Sequence, residues 1–174
     1  MEIGISFTGR ALNAVDAKGR VSLPANFRLT IERKLQQIST PDGLAMPKAV
    51  MMGPHERFPA LQAFDVTYLD RLQAEMEKRV AELPAADRLA ALEEENSGAF
   101  STVEEVAFDS NGRMVLPAGL RRRAGIGELA YFRAAANTFQ IWDPERFREA
   151  YAHDQRQIDL LDDLIADRAA RGRG

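Results

Sequence analysis

The sequence predicts an α+β protein built from two copies of one short module. Three observations support this prediction. Residues 16–28 align without gaps on residues 109–121, with seven of thirteen positions identical. Each copy has the pattern of a strand, a tight turn, a second strand and a helix. A long stretch of helical periodicity separates the copies.

The identical residues are Asp16 and Asp109, Gly19 and Gly112, Arg20 and Arg113, Leu23 and Leu116, Pro24 and Pro117, Ala25 and Ala118, and Arg28 and Arg121. Ungapped matches that include Gly and Pro are rare by chance, so the duplication indicates a real repeat.

The turn at the centre of each copy follows from its residue types. In an Asp-x-x-Gly segment the Asp side chain can accept a hydrogen bond from the backbone two residues on, and Gly takes the positive φ. Asp16 and Gly19 are therefore expected to shape the first turn, and Asp109 and Gly112 the second. Asn111 directly before Gly112 is a strong hairpin signal, so a tight hairpin is expected there.

The segments around the turns predict further strands and helices. Each module strand stops at a proline, which is tolerated at the start of a helix. Phe27, Ile31 and Leu35 then form a helical stripe. In the second copy a hairpin is expected from residues 129–132 and 139–142, and the first copy has its counterpart strand near residues 49–52.

The remaining segments are predicted to be helical. Residues 65–95 show helical spacing that breaks at Pro84, and Asp143 followed by Pro144 is a helix start. Four parts are expected along the chain. They are a first repeat at 8–54, a helical connector at 55–102, a second repeat at 103–147 and a charged helical tail at 148–174.

Composition and charge limit the possible functions. Cysteine is absent, which excludes a disulfide framework, a thiolate zinc site and a cysteine nucleophile and suits a reducing cytoplasm. No membrane span is expected. The net charge of −3 argues mildly against nucleic-acid binding, but residues 10–34 net +4 and residues 109–123 net +3. Because salt screens charges over about 10 Å, such basic islands are compatible with a DNA-binding face.

The duplicated motif resembles a known family. Two copies of Asp-x-x-Gly-Arg-x-x-Leu-Pro-x-x-x-Arg, with Phe7-Thr8-Gly9 ahead of the first and Phe139-x-x-Trp142-Asp143 after the second, resemble the MraZ family of bacterial transcriptional regulators over residues 7–148. The resemblance implies a double-psi or swapped-hairpin β-barrel like that of the AbrB regulators, with connecting helices and a C-terminal helix. It also implies a ring-shaped homo-oligomer in the cytoplasm and nucleoid. This oligomer would bind double-stranded DNA at direct repeats upstream of its own division and cell-wall gene cluster, without a cofactor.

Carried over by position, the resemblance implies that Lys18, Arg20 and Arg113 contact DNA. A two-stranded β-ribbon fits the major groove, and an Arg fork can bond guanine O6 and N7. From the pattern alone, each Arg could equally pair with its own turn Asp and fix the loop. Asn111 replaces Lys18 in the second copy, so the first copy is expected to contribute more.

Some residues are expected to lie outside the DNA contacts. Arg28 and Arg121, on the helices, are expected to be solvated or salt-bridged, and Arg122 and Arg123 could take either role. Residues 52–64 and the acidic tail depart from the family pattern.

Two other classes of function are weighed against DNA binding. For an enzyme, the only histidines are His55 and His153, both expected at the surface, and no metal-ligand spacing, phosphate loop or nucleophile motif is present. No catalytic or metal-ligating residue is therefore assigned. The second class is an antitoxin-like or purely protein-binding barrel, in which the tail holds a partner. The tail could equally pack on its own barrel or on a neighbouring subunit. The resemblance favours repression, although activation stays open because the operator position decides it.

Overall fold

A computed structural model of the chain describes residues 5–38 and 40–172, in which pairs of strands are separated by one or two helices. The strands are β1 (Arg10–Ala14), β2 (Arg20–Ser22), β3 (Ala49–Pro54), β4 (Leu61–Phe64), β5 (Glu104–Ala107), β6 (Arg113–Val115), β7 (Leu129–Ala135) and β8 (Thr138–Trp142). The helices are α1 (Ala25–Gln36), α2 (Leu69–Val80), α3 (Ala85–Phe100), α4 (Ala118–Ala124), α5 (Pro144–Ala150) and α6 (Gln155–Arg171), with a 3₁₀ turn at Val66–Tyr68. The predicted α+β class is confirmed.

The two copies of the module exchange strands. Six strands form one antiparallel sheet in the order β1-β7-β8-β4-β3-β5, and β2 pairs with β6 in a separate two-stranded ribbon. The first strand of each copy pairs with the third strand of the other copy, β1 with β7 and β5 with β3. The central pair β4–β8 also joins the two copies. The strand order therefore reads the same from both ends, as expected for two repeats related by an approximate twofold axis.

Two expectations about strand pairing need correction. The strands that flank each module turn do not form a hairpin ladder with each other, because β1 pairs with β7, β5 pairs with β3, and β2 and β6 pair together in the ribbon. A closed barrel is not confirmed either. In the described part of the chain β1 and β5 each pair on one side only, so the six-stranded sheet is open at both edges. The hairpin of β7 and β8 is confirmed, as is the counterpart strand β3.

The hydrophobic core lies between the sheet, the ribbon and the module helices. Phe27 and Ile31 of α1 are fully buried, which confirms the predicted helical stripe. Phe7 packs edge-on against Phe27 and Phe139, with ring centroids 5.6 and 5.0 Å apart. Because residues from both copies fill the same core, neither copy can bury its apolar face without the other.

The helices expected over residues 65–95 are confirmed as α2 and α3 with Pro84 between them, but β4 (Leu61–Phe64) lies inside the range 55–102 that was expected to be a helical connector. In the tail, Asp143 caps α5 by accepting a hydrogen bond from the backbone N–H of Glu145 at 3.0 Å. Across the described residues, none of the helices has both the length and the apolar character needed to span a bilayer. The four-part division of the chain stays a prediction, and Ser39 and residues 173–174 lie outside the described residues.

The tail packs on the chain's own sheet. Leu161 of α6 is fully buried in a second core cluster with Tyr131, Trp142 and Phe147. Leu12 of β1 completes that contact. The sequence left open whether the tail packs on its own chain or on a neighbouring subunit, and in the structure it packs on its own chain.

Candidate nucleic-acid interface

The first module turn is held by one carboxylate. Asp16 Oδ1 accepts hydrogen bonds from the backbone N–H groups of Lys18 and Arg20, both at 2.9 Å. The N–H of Gly19 donates to the Asp16 carbonyl at 2.9 Å, and Gly19 has a φ of 81°. A Cβ at Gly19 would lie 3.2 Å from the carbonyl oxygen of Leu116, so both the backbone angle and the available space favour glycine.

The second turn repeats this geometry. Asp109 Oδ1 accepts from the N–H groups of Asn111 and Arg113 at 2.9 Å, and Gly112 has a φ of 80°. The bond from the Arg113 N–H lowers the pKa of Asp109, and the N–H of Arg20 does the same for Asp16. The two turns thus have the same conformation, and an ionised carboxylate stabilises each of them.

The turn arginines face solvent while one nitrogen of each is engaged. Arg20 Nε pairs with Asp16 Oδ2 at 2.6 Å, and Arg113 Nε pairs with Asp109 Oδ2 at 3.2 Å. Their side chains are 61% and 66% exposed. Among the described residues, neither arginine uses its Nη1 or Nη2 atom in a hydrogen bond or ion pair. Each arginine therefore pairs with its turn Asp through Nε and still keeps its two Nη atoms free. The sequence pattern had presented these two roles as alternatives.

The helix arginines brace the opposite turn. Arg28 of α1 donates from Nη1 to the carbonyl of Ser110 at 2.7 Å, and Arg121 of α4 donates from Nη1 to the carbonyl of Asp16 at 3.3 Å. Arg121 also donates to two carbonyls after the end of α4. The expectation that these arginines are solvated or salt-bridged was wrong. Their partners are main-chain oxygens, in each case including a turn of the other copy.

The ribbon presents both turn arginines on one face. In the β2–β6 register Arg20 lies opposite Val115, and Arg113 lies opposite Ser22. The central pair, Val21 with Met114, is buried at 3% exposure each. Because side chains alternate along a strand, the four flanking residues share the outer face. Arg20 and Arg113 occupy diagonal positions there, which places their Cα atoms about 7–8 Å apart.

The structure adds residues that the sequence did not assign to this face. Glu105 of β5 lines a groove of about 360 Å³ together with Arg20, Arg113 and Val115. Lys18 is exposed at the first turn and lines a second groove with Arg122 of α4. Arg122 could not be identified as a neighbour of Lys18 from spacing, because the two residues are 104 positions apart in sequence (122 − 18).

The histidines are not part of this face. His55, in the β3–β4 connection, is half-buried rather than at the surface, and burial lowers its pKa. Its Nδ1 accepts from the N–H of Arg57 at 3.1 Å, and its ring packs on Phe58. His153 is exposed, as expected, and stacks on Tyr151. The described residues contain no group of three or more His, Cys, Asp or Glu placed to hold a metal ion.

The fold and the two turns define a class of protein in which one chain contains two β-turn modules. The modules exchange strands about an approximate twofold axis, and each turn carries an exposed arginine. A sequence model described as "MraZ protein, putative antitoxin-like" matches residues 99–163. The chain belongs to the MraZ family, since it is 33% identical over 165 residues to the "Transcriptional regulator MraZ" of Ruegeria sp. (strain TM1040), with 92% of each chain covered.

Two further relatives carry the same name. That of Rhodospirillum rubrum is 31% identical over 141 residues, covering 79% of each chain. That of Rickettsia akari (strain Hartford) is 29% identical over 156 residues, covering 86% of this chain and 93% of the relative. The similarity thus spans both copies of the module and the connector between them.

Proposed function

We propose that the chain is a sequence-specific DNA-binding transcriptional regulator. It binds direct repeats upstream of its own division and cell-wall gene cluster and represses transcription there. Its relatives are named transcriptional regulators, which supports the regulatory role. The observation that carries the DNA-binding role is the pair of free guanidinium forks on one outer face of the β2–β6 ribbon.

The dimensions of the ribbon support this role. A two-stranded ribbon fits the major groove, which is about 12 Å wide. The diagonal between Arg20 and Arg113, about 7–8 Å, equals roughly two base steps of about 3.4 Å. Each fork then meets a different base pair and can bond guanine O6 and N7 with its two Nη atoms.

The ion pairs within the turns support the same role. Holding Nε of Arg20 on Asp16 limits the side chain to fewer conformations before DNA arrives. Binding then loses less side-chain entropy, which is a main cost of ordering an exposed arginine. Lys18 carries a point charge without a fork and is better suited to a phosphate than to a base.

The experiment is a binding titration at fixed salt with DNA from upstream of the chain's own gene. The wild type is expected to bind this DNA more tightly than a scrambled duplex of equal length. Arg20→Ala is expected to lose that preference while keeping its fold and oligomeric state. Arg33→Ala, an exposed change on α1, is the control for lost charge. Retained specific binding by Arg20→Ala would contradict the proposal.

The proposal includes a ring-shaped homo-oligomer associated with the nucleoid in the cytoplasm. A small ribbon buries little surface on DNA, so several copies that engage several repeats gain affinity because later contacts are effectively intramolecular. Native mass spectrometry of the free protein and of its complex measures this directly. Detection of only a monomer, both free and bound to DNA, would contradict the ring. The DNA-binding face would still be tested separately by the titration.

A protein-binding role through a free tail is less well supported. Leu161 is buried against this chain's own Trp142 and Phe147, so the apolar face of α6 is already occupied. We also propose that the exchanged strands are a single-chain equivalent of an AbrB-like swapped-hairpin dimer, with each copy in the place of one subunit.

A further inference from the structure

At each end of the outer face of the β2–β6 ribbon, the turn lies against a helix of the other copy. The first turn lies against α4, where Arg121 donates to the Asp16 carbonyl. The second turn lies against α1, where Arg28 donates to the Ser110 carbonyl. Any difference between α1 and α4 therefore becomes a difference between the surroundings of the two turns.

The helices differ in charge at equivalent positions. Leu29 and Thr30 of α1 correspond to Arg122 and Arg123 of α4. The turns differ in the same direction, with Lys18 in the first and Asn111 in the second. The first turn with the aligned part of α4 thus contains five basic residues and one acid, whereas the second turn with the aligned part of α1 contains two basic residues and one acid.

Lys18 and Arg122 line one groove at the richer end. The groove has a volume of about 440 Å³ and lies between the first turn and α4, with Ala17 and Ala118 among its walls. Both basic side chains belong to exposed residues, and neither makes a hydrogen bond or ion pair within residues 5–38 and 40–172. Arg121, by contrast, is fully engaged in bracing. Two free cations beside small residues leave room for an approaching phosphate.

We propose that Lys18 and Arg122 together bind the DNA phosphate backbone at the first turn only, so that the chain binds DNA in one preferred direction. This inference rests on the proposed DNA-binding function. A reader with true twofold symmetry would dock equally well in both directions, whereas a direct repeat has a direction. Phosphate contacts fix register and orientation without reading sequence, and Arg122 places a second cation beside Lys18 for that role.

The first test exchanges the charge between equivalent positions. Arg122→Leu gives α4 the residue that α1 has, and Leu29→Arg does the reverse. Binding to the upstream DNA is measured across a range of NaCl concentrations. For each protomer that engages the DNA, Arg122→Leu is expected to make the slope of log affinity against log salt shallower by about one, and Leu29→Arg to make it steeper by about one. Arg71→Leu on α2 is the matched control and should leave the slope unchanged.

The second test measures direction. Because the chain has no cysteine, Ala17→Cys and Ser110→Cys provide single attachment points for an iron chelate that cleaves DNA, at equivalent positions of the two turns. The two conjugates are expected to cleave at opposite ends of each repeat. In a background that carries both Lys18→Asn and Arg122→Leu, which give the first end the residues of the second at these two positions, both should cleave at both ends.

The outcomes distinguish failure of this inference from failure of the proposed DNA-binding function. Wild-type binding with identical cleavage by both conjugates, or with an unchanged salt slope in Arg122→Leu, would overturn this inference alone. Failure of the wild type to prefer its upstream DNA would overturn the proposed function and this inference with it.

Discussion

Arg28 in the first copy of the module donates a hydrogen bond at 2.7 Å to the carbonyl oxygen of Ser110 in the turn of the second copy, 82 residues later. Arg121 in the second copy donates to the Asp16 carbonyl in the turn of the first copy, one position before the residue equivalent to Ser110. The main chain repeats the exchange, since the N–H of Leu23 donates to the Gly112 carbonyl at 2.7 Å. Each turn is therefore positioned by the other copy, and the two turns form one structural unit.

Replacing Arg28 with Met should destabilise this unit. The change Arg28→Met keeps the apolar stem and removes the bond to Ser110, so the free energy of unfolding should fall by about 1 kcal/mol. Arg121→Met should cost more, because its guanidinium bonds three carbonyls. Urea unfolding followed by circular dichroism measures both. Arg33→Met, exposed on the same helix as Arg28, is the control, and equal stability of Arg28→Met and Arg33→Met would refute the bracing role.

Glycine at the turns should be difficult to replace. Gly112→Ala forces a φ of 80° on a residue with a Cβ and places that Cβ 3.1 Å from the carbonyl oxygen of Leu23. A loss of about 1–2 kcal/mol in the free energy of unfolding is expected. Gly98→Ala is the matched control, because Gly98 lies in α3 with open space around its Cβ and should gain up to about 1 kcal/mol. A stabilised Gly112→Ala would be inconsistent with this account.

The fork of Arg20, as distinct from its charge, should determine specificity. Arg20→Lys keeps the positive charge but loses the paired Nη donors, so affinity for a scrambled duplex should stay within about twofold of the wild type. Preference for the upstream DNA should fall by about 1–3 kcal/mol, which is roughly 5- to 150-fold. Competition binding with both duplexes gives the ratio. An unchanged ratio in Arg20→Lys would show that Arg20 contributes charge alone.

The turn carboxylates predict a dependence on acid. The ordinary pKa of Asp16 is 3.8, and the backbone N–H of Arg20, followed by its side chain, lowers it in the folded protein. A carboxyl with a lowered pKa contributes its full stabilisation above the ordinary value and loses it as the pH falls through the folded value. The turn should therefore be unaffected at neutral pH and weaken only below about pH 4.

A carbon-detected NMR titration of Asp16 checks this prediction, with Asp16→Asn as the companion variant. The amide oxygen of Asn can still accept from the turn N–H groups, but it does not titrate. Asp16→Asn should therefore show a smaller change in unfolding free energy between pH 5 and pH 3 than the wild type (pH values chosen to bracket the ordinary carboxyl pKa). A pKa for Asp16 above its ordinary value would invalidate the electrostatic account of the turn.

Local chemistry made much of this fold predictable. The Asp and Gly of each turn, the stripe of Phe27 and Ile31, and the helix break at Pro84 depend only on neighbours in sequence. The duplication also predicted that two equivalent turns would exist. Which strands pair was not predictable in this way, because β1 with β7 and β2 with β6 are contacts between distant segments. The hairpin expected at Asn111-Gly112 did not form because Asn-Gly is a local turn signal, and a local signal does not reveal which strands pair.

The candidate site shows the same division between local and distant effects. The turn arginines were identifiable from their motif, but their diagonal placement on one face depends on the β2–β6 register. Arg122 had no assigned role until α4 was placed beside the first turn. Arg28 and Arg121 were expected to be solvated or salt-bridged, and their main-chain partners were not predictable because they lie in the other copy.

The tail should be an integral part of the fold. Leu161 of α6 is fully buried in the cluster that contains Trp142, the only tryptophan of the chain. Leu161→Ala leaves a cavity there and should lower the free energy of unfolding by about 2–4 kcal/mol. Fluorescence of Trp142 should shift to the red at a lower urea concentration than in the wild type. Leu89→Ala, at a residue 79% exposed on α3, is the control and should change stability by less than about 0.5 kcal/mol. Equal midpoints for both variants would mean that α6 does not pack on the sheet and that its apolar face is free for a partner.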